Sequence, residues 1–467
     1  MYGHAPRTNR LRYGPRGGSR LKKLSVLRRI QQLASATFAL SLVSSALGIL
    51  TSSMLAHWLG PRQFGVYSYL LALTSLAGVI ASLGFPTVLV RQTSVSRVSS
   101  EWSTIKGLLI HSLYLTFLVS GLIGVVVWKV GMNLGGFSRM PMFAVDLGLA
   151  TIVMMSTTQT NLWSSVLQGL DRIIASVIPV ALVAPLGLIL SVLIVHVVNG
   201  NLSISMVLVC QIGITLLVLG LLAIMVLRTF PQDFFRAKRD VRFPGWVMNA
   251  FPFLLNSMMI TVNMRTDVFL LGVMKGPEIA GIYNAATRGA LLLVLPLGAM
   301  ITASRPTIAS LYARGEKAKL QDVMAMTSRL STSVSLVGCT ILLLFGRTLL
   351  RVLFGPPFAY GFSALAILSV SRVVNAGTGS LGPFLSMTNQ PRILGMGLGA
   401  EAFLNVVFNY FLIPSMGLDG SALATGGSMV LMNILMSAWV FRKMGFDVTL
   451  FGIRKPTANE EASMNNA

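Results

Sequence analysis

The sequence predicts an all-α membrane protein of about twelve transmembrane helices, arranged as two parallel six-helix bundles. Three observations predict it. Apolar runs of about 20 residues, the length that crosses a hydrocarbon core, follow one another from residue 33 to residue 441. Basic residues collect in alternate connecting segments. A short motif placed after the first run returns after the seventh.

The composition agrees. The 467 residues are 54% hydrophobic and only 11% charged, whereas soluble domains carry about 25% charge. No soluble domain large enough to act alone is expected. The net charge of +23 raises the question of nucleic acid, and its distribution answers against it. Nine of the basic residues, from Arg7 to Arg29, sit without an acid in the tail before the first run. Such a tail is attracted to anionic lipid. Cys210 and Cys339 lie in separate apolar runs, and His4, His57, His111 and His196 are scattered, so neither a disulfide nor a metal site is legible. The first run is longer than the apolar core of about 7–15 residues in a signal peptide, and it reads as an uncleaved span.

The spans fall near 33–57, 65–90, 107–130, 143–168, 173–197, 203–227, 247–274, 283–309, 328–350, 361–387, 393–413 and 419–441. They divide the chain into a basic tail (1–32), an amino-terminal bundle (33–227), a linker (228–246), a carboxy-terminal bundle (247–441) and a second tail (442–467). With the amino terminus inside, 27 Lys and Arg fall on inner segments and six on outer ones. That asymmetry predicts both termini in the cytoplasm and an even number of spans. Residues 313–322 are polar enough for a short amphipathic helix at the interface. The tail after Lys443 reads as polar and frayed.

The repeat consists of Gly60, Pro61, Gly65 and Tyr67, which return at an offset of 216 as Gly276, Pro277, Gly281 and Tyr283. A Gly-Pro turn closes a helical hairpin, and a Gly at the next helix start permits close packing. Parallel repeats of this kind are a transporter architecture, with the site between the halves near the midplane.

Ionisable residues inside spans are costly and mark function. In the seventh span Ser257, Thr261 and Arg265 form one strip, and Asn256, Asn263 and Asp267 a second. A helix with two polar strips lines a cavity and also touches a polar neighbour. Arg288 lies at the depth of Asp267, so an ion pair between them is one expectation, with Arg265 left to face the cavity. Arg305 is placed to snorkel toward the inner interface. Arg372, with Asn375 on its face, and Glu401, with Asn405 and Asn409, lie at similar depth on consecutive spans, a second expected pair. The run from Gly377 to Pro383 should loosen the tenth helix. The fourth span carries Thr157, Thr158, Gln159, Thr160 and Asn161 at mid-depth, suited to hydrogen bonding between helices. The glycines from Gly395 to Gly399 lie in an apolar helix and serve packing. No phosphate-binding loop or catalytic triad is present.

The segment from Leu59 to Tyr69, then Ala81 to Thr87 and Arg91, resembles the amino-terminal hairpin of the polysaccharide transporter family. That family belongs to the multidrug/oligosaccharidyl-lipid/polysaccharide exporter superfamily. Arg265-Thr-Asp267, Gly281 to Ala286 and Gly417 to Ala424 resemble its second half. The resemblance implies two bundles forming a V, with alternating access, and a flippase of the O-antigen or exopolysaccharide type. Its substrate would be a polyprenyl-diphosphate-linked oligosaccharide, held through its anionic head. Matching positions are Arg265, Arg288 and Arg372, with Asn263 and Asn375 beside them; Asp267 and Glu401 remain as coupling or ion-pair residues. No enzyme activity and no cofactor is implied. Membrane lipids, and a polysaccharide polymerase with chain-length proteins, are the partners that fit. A cation-coupled multidrug exporter is the alternative, but it favours an acidic, aromatic cavity. A membrane polymerase, ligase or glycosyltransferase needs a longer outer loop than residues 131–142 provide. A non-catalytic scaffold leaves the buried charges unexplained.

Overall fold

The computed structural model describes residues 17–132, 142–238, 243–379, 381–388 and 390–452. Part of the basic tail, most of the 131–142 loop, linker residues 239–242 and the end of the second tail therefore lie outside the described residues. So does the side chain of Arg305.

Helices account for the described chain because a backbone in hydrocarbon must satisfy its own hydrogen bonds. They are α1 (Gly17–Ala81), α2 (Phe85–Val98), α3 (Trp102–Gly131), α4 (Phe143–Gly169), α5 (Ile173–Ile178), α6 (Ala184–Asn199) and α7 (Ile204–Thr229) in the first half. A wide π-turn, Pro179–Val183, joins α5 to α6. The linker holds α8 (Gln232–Arg236). The second half has α9 (Phe243–Lys275), α10 (Pro277–Ala290), α11 (Val294–Ala313), α12 (Lys317–Phe354), α13 (Phe362–Gly377), α14 (Leu381–Met387) and α15 (Pro391–Met444).

Among the described residues, eight stretches are long and apolar enough to cross a membrane. Two of them, Ser35–Ala81 and Pro391–Met444, each hold two predicted spans, folded back at Gly60 and Gly417. The eight cover ten of the twelve predicted spans. The fourth, α4, and the eighth, over α10 and α11, fall outside them, and the polar run Thr157–Asn161 of α4 faces inward rather than toward lipid.

Two sequence expectations change. Residues 317–322 are not a separate interface helix: after a turn at 314–316 they form the first turns of α12. The tail after Lys443 is not frayed over residues 445–451. Val448 is fully buried, and Phe446 and Asp447 nearly so. Gln321 brackets Asp447, donating to its carbonyl and accepting from its N–H at 3.0 Å. Ser328 donates to the Val448 carbonyl at 2.7 Å and Arg329 to that of Leu450 at 2.9 Å. The Leu450 N–H reaches the Gly377 carbonyl at 2.9 Å, so this strap binds the start of α12 to the end of α13. Its backbone groups hold it to α12 and α13, and Phe446 and Val448 pack into the core of the second half.

The repeat is geometric as well as sequential. Gly60 (φ 70°, ψ 172°) and Gly276 (φ 93°, ψ 170°) make the same turn, in a region that L side chains avoid. Pro61 and Pro277 then open the following helices, where a missing N–H costs nothing. Gly65 and Gly281 meet face to face, and a Cβ on Gly281 would lie 2.8 Å from the Gly65 Cα. Asn284 donates to Ser68 at 2.8 Å, and these two residues are also 216 apart. The local two-fold axis therefore passes between α1 and α10 at this Gly-Pro end.

The hydrophobic core explains the overall shape. At the Gly-Pro end one cluster takes residues from both halves, including Leu55, Phe64, Tyr69, Tyr283, Ala286 and Phe358. At the opposite, linker end there are two separate clusters. One, around Phe85, Leu108, Leu167 and Leu222, belongs to the first half together with Trp246 and Ala250 from the start of α9. The other, around Ile308, Met324, Phe384 and Val440, belongs to the second half. One joined core and two parted ones describe a V that opens at the linker end.

Candidate substrate cavity

Two adjoining cavities, of about 600 and 280 Å3, fill the V and share Leu71, Thr157, Gln211 and Arg265 in their walls. The larger is lined by the linker-side half of the second rod (Thr74, Ser75, Ser82), by α4 (Thr157, Thr158, Asn161, Ser164, Ser165, Gln168) and by α9 (Ser257, Thr261, Arg265). The smaller lies toward the Gly-Pro end, among Thr51, Ser52, Tyr67, Ser68, Gln211, Asn284, Arg265 and Arg288. Hydroxyl and amide groups and two guanidinium groups are thus interleaved with apolar side chains such as Leu71, Val153 and Leu188, and no carboxylate is among the described lining residues.

The strip Ser257–Thr261–Arg265 faces the cavity as expected. Two residues of the second strip, Asn263 and Asp267, face α15: Asn263 donates to the Leu398 carbonyl at 3.3 Å, and Asp267 accepts from Thr425. The expected Asp267–Arg288 ion pair does not form. Arg288 turns into the smaller cavity beside Arg265, while Asp267 points the other way, into the second half. There Tyr283 donates to Asp267 Oδ2 at 2.9 Å, Thr425 at 3.4 Å, and the Val268 N–H to Oδ1 at 3.0 Å. Asn405 Nδ2 donates to Thr425 at 3.1 Å, Asn409 to the Asn405 side chain at 3.3 Å, and Ser421 to Asn409 at 2.8 Å. This network ties α9, α10 and both rods of α15 together. Its carboxylate is 4% exposed and has hydrogen-bond donors but, among the described residues, no cation within ion-pair distance. A charge in the bilayer interior normally pairs, and here three hydrogen-bond donors stand where a cation would.

The second expected pair also stays apart. Arg372 donates to the Met429 sulfur at 3.4 Å, and no contact within 4 Å joins it to Glu401, although each lies in the other's electrostatic field. Asn375 accepts from Asn433 at 2.7 Å. Neither Arg372 nor Asn375 lines the two central cavities. The break after Gly377 is present, since α13 ends there and α14 resumes at Leu381. Gln159 carries out the expected interhelical bonding, to Thr116 at 3.2 Å, while Thr157, Thr158 and Asn161 line the cavity. Gly397 and Gly399 pack against Met436 and Met259, a packing role as expected.

Sequence reading missed Tyr67, whose hydroxyl donates to Gln211 at 3.0 Å, as well as Thr425 and Ser421. The repeat could have flagged the first, because its counterpart Tyr283 binds Asp267. The i, i+4 spacing of Ser421 and Thr425, opposite Asn405 and Asn409, could have flagged the others.

A family model described as polysaccharide biosynthesis protein matches residues 32–312. A probable low-salt glycan biosynthesis flippase of Haloferax volcanii, Agl15, is 24% identical over 406 residues, which cover 85% of this chain and 80% of the relative. A probable flippase of the same organism, AglR, is 30% identical over 173 residues, 36% of each chain. Among solved structures, an inward-facing multidrug resistance MATE transporter of the MOP superfamily superposes with a TM-score of 0.63 at 12% identity, covering 87% of this chain and 94% of that one. A MOP superfamily transporter from Pyrococcus furiosus, whose binding pocket is described as reversed in polarity, gives 0.57 at 14% identity, with 89% and 95% covered. The fold is that of the MOP transporters, and the chain belongs to the polysaccharide biosynthesis protein family.

Proposed function

We propose that this protein is a flippase that moves polyprenyl-diphosphate-linked oligosaccharide across the cytoplasmic membrane for polysaccharide synthesis. The observation that carries the reading is the placement of Arg265 and Arg288 together in a cavity whose described lining has no carboxylate. Two guanidinium groups held in hydrocarbon are expensive unless an anion joins them. A diphosphate supplies that charge, and its oxygens match the planar fork of Arg two at a time. The sugars then meet the hydroxyl and amide wall of the larger cavity. A drug cation would meet the wrong sign of charge.

The charge sorting orients the chain. The linker end is the basic, cytoplasmic end, so the V is open to the cytoplasm and closed at the Gly-Pro end. Access alternates when the joined core at that end parts. Asp267 is the coupling group, and binding of a proton or cation there biases the two rods of α15 against α9 and α10. A polymerase with its chain-length proteins would receive the units outside.

The test uses purified protein and a polyprenyl-diphosphate sugar. Removing one charge-assisted hydrogen bond should weaken binding by about ten- to a hundredfold, at roughly 1.5–3 kcal/mol per bond. Arg265→Ala and Arg288→Ala should both show this, and cells carrying either variant should lose surface polysaccharide while lipid-linked units accumulate on the inner leaflet. Unaltered binding by both variants would overturn the proposal.

A further inference from the structure

A third cavity, of about 760 Å3, shares no lining residue with the central pair. It is a trough at the linker end of the first half, bounded by the end of α2, the turn before α5, the π-turn and α7. Its floor and sides are apolar: Ile174, Ile178, Pro179, Val183, Leu221 and Met225. Ile178 and Leu221 are each more than a third exposed, so the trough opens outward and not into the V. Its rim is charged. Arg97 and Arg172 both line it and both are exposed. Arg97 is not a free-swinging surface side chain, because Nη1 donates to the Leu170 carbonyl at 2.6 Å and fixes the guanidinium over the opening. Asp171 also stands at the rim, in a left-handed turn (φ 63°), and already has an interaction partner. The described rim groups sum to a positive charge.

The π-turn, Pro179–Val183, contributes Pro179 and Val183 to the trough wall. Pro179 removes a backbone donor, and the chain runs through a π-turn instead of a regular turn. Single π-turns inside α-helices recur at functional sites.

We propose that this trough binds an anionic phospholipid of the bilayer, with its phosphate against Arg97 and Arg172 and one acyl chain along Ile174, Ile178, Leu221 and Met225. Charge complementarity selects this occupant. The linker end is the end on which the chain's basic residues are concentrated, and anionic lipids populate the cytoplasmic leaflet. A zwitterionic lipid would offer the same chain without net charge. The inference rests on the membrane orientation and not on the transport reading.

The experiment follows thermal unfolding of the purified full chain in detergent as phosphatidylglycerol or phosphatidylcholine is added. A ligand bound only by the folded protein raises the melting temperature saturably. Phosphatidylglycerol should do so, and phosphatidylcholine at equal concentration should not. Changing both arginines to alanine should raise the half-saturating phosphatidylglycerol concentration about thirtyfold, at roughly fivefold for each arginine. Arg172→Glu alone leaves the Arg97–Leu170 bond in place and should lose the response, as should Leu221→Trp, which fills the trough. Arg265→Ala should keep it, which separates this site from the central cavity. An equal response to both lipids, an unchanged response in Arg172→Glu, or displacement of phosphatidylglycerol by a polyprenyl monophosphate at lower concentration would overturn the assignment.

Discussion

Replacing Gly281 with alanine should drive the halves apart at the Gly-Pro end. An added Cβ would stand 2.6 Å from the Pro61 carbonyl oxygen and 2.8 and 2.9 Å from the Gly65 Cα and N. These are backbone atoms of a packed helix and cannot rotate aside. Overpacking of this kind costs about 1–3 kcal/mol. The helix propensity that alanine gains over glycine, about 1 kcal/mol, acts in both conformations and cancels from their ratio. The closed state should therefore lose population by about 5- to 150-fold. Ser52 is a suitable reporter: it is 8% exposed, lines the smaller cavity and bonds only its own helix, to the Gly48 carbonyl at 2.8 Å. A Ser52→Cys chain lacking Cys210 is treated, on whole cells, with an impermeant thiol reagent that reaches the outer face alone. Native Cys339, 3% exposed, serves as an internal check on folding. Labelling at position 52 should quicken at least fivefold in Gly281→Ala while Cys339 stays unlabelled. An unchanged rate in folded protein would refute the view that the Gly65–Gly281 contact is the outer closure.

Three further outcomes are expected. Asp267→Asn keeps an acceptor for Tyr283 but cannot ionise, so the protein should purify and bind substrate yet fail to drive net transport in cells; normal transport would remove Asp267 from coupling. Glu401→Gln should leave expression intact because no close ion pair is broken, and a loss of folded protein rescued by Arg372→Gln would show instead that the two charges balance one another. Ending the chain after Met444 strips six hydrogen bonds from α12 and α13, compared with a control ending after Gly452. At about 1 kcal/mol each, the shorter chain should be less stable by roughly 4–6 kcal/mol, read as a lowered melting temperature with no such drop in the control.

Much of the fold was legible because span length and charge sorting are one-dimensional signals. The breaks at Gly60, Gly276 and Gly377 were legible too, since a turn inside an apolar run needs glycine or proline and little else. The strap at 445–451 was not, because it is held by carbonyls bonded to Gln321, Ser328 and Arg329, and backbone acceptors leave no mark in composition. Within the site, the strip Ser257–Thr261–Arg265 was readable from helical period. The partners of Asp267 and Arg288 were not. Depth along a helix follows from sequence, but the azimuth that sent Arg288 toward Tyr67 and Asp267 toward Thr425 depends on how three helices roll against each other.

The contact between Ser68 and Asn284 has an evolutionary reading. In a symmetric dimer of six-helix chains this position would face its own copy across the axis, serine on serine or asparagine on asparagine, because an isologous interface is built twice from one patch. Two copies that differ in sequence, as the halves of one polypeptide can, let a hydroxyl meet an amide there. The same freedom allowed Arg265 and Arg288 to be carried by one copy alone. In a two-fold dimer the same arginines would come in repelling sets on both sides of the lumen. Joining the copies let the charge become lopsided, one half bearing the cations and the other the neutral wall that a sugar can lie against.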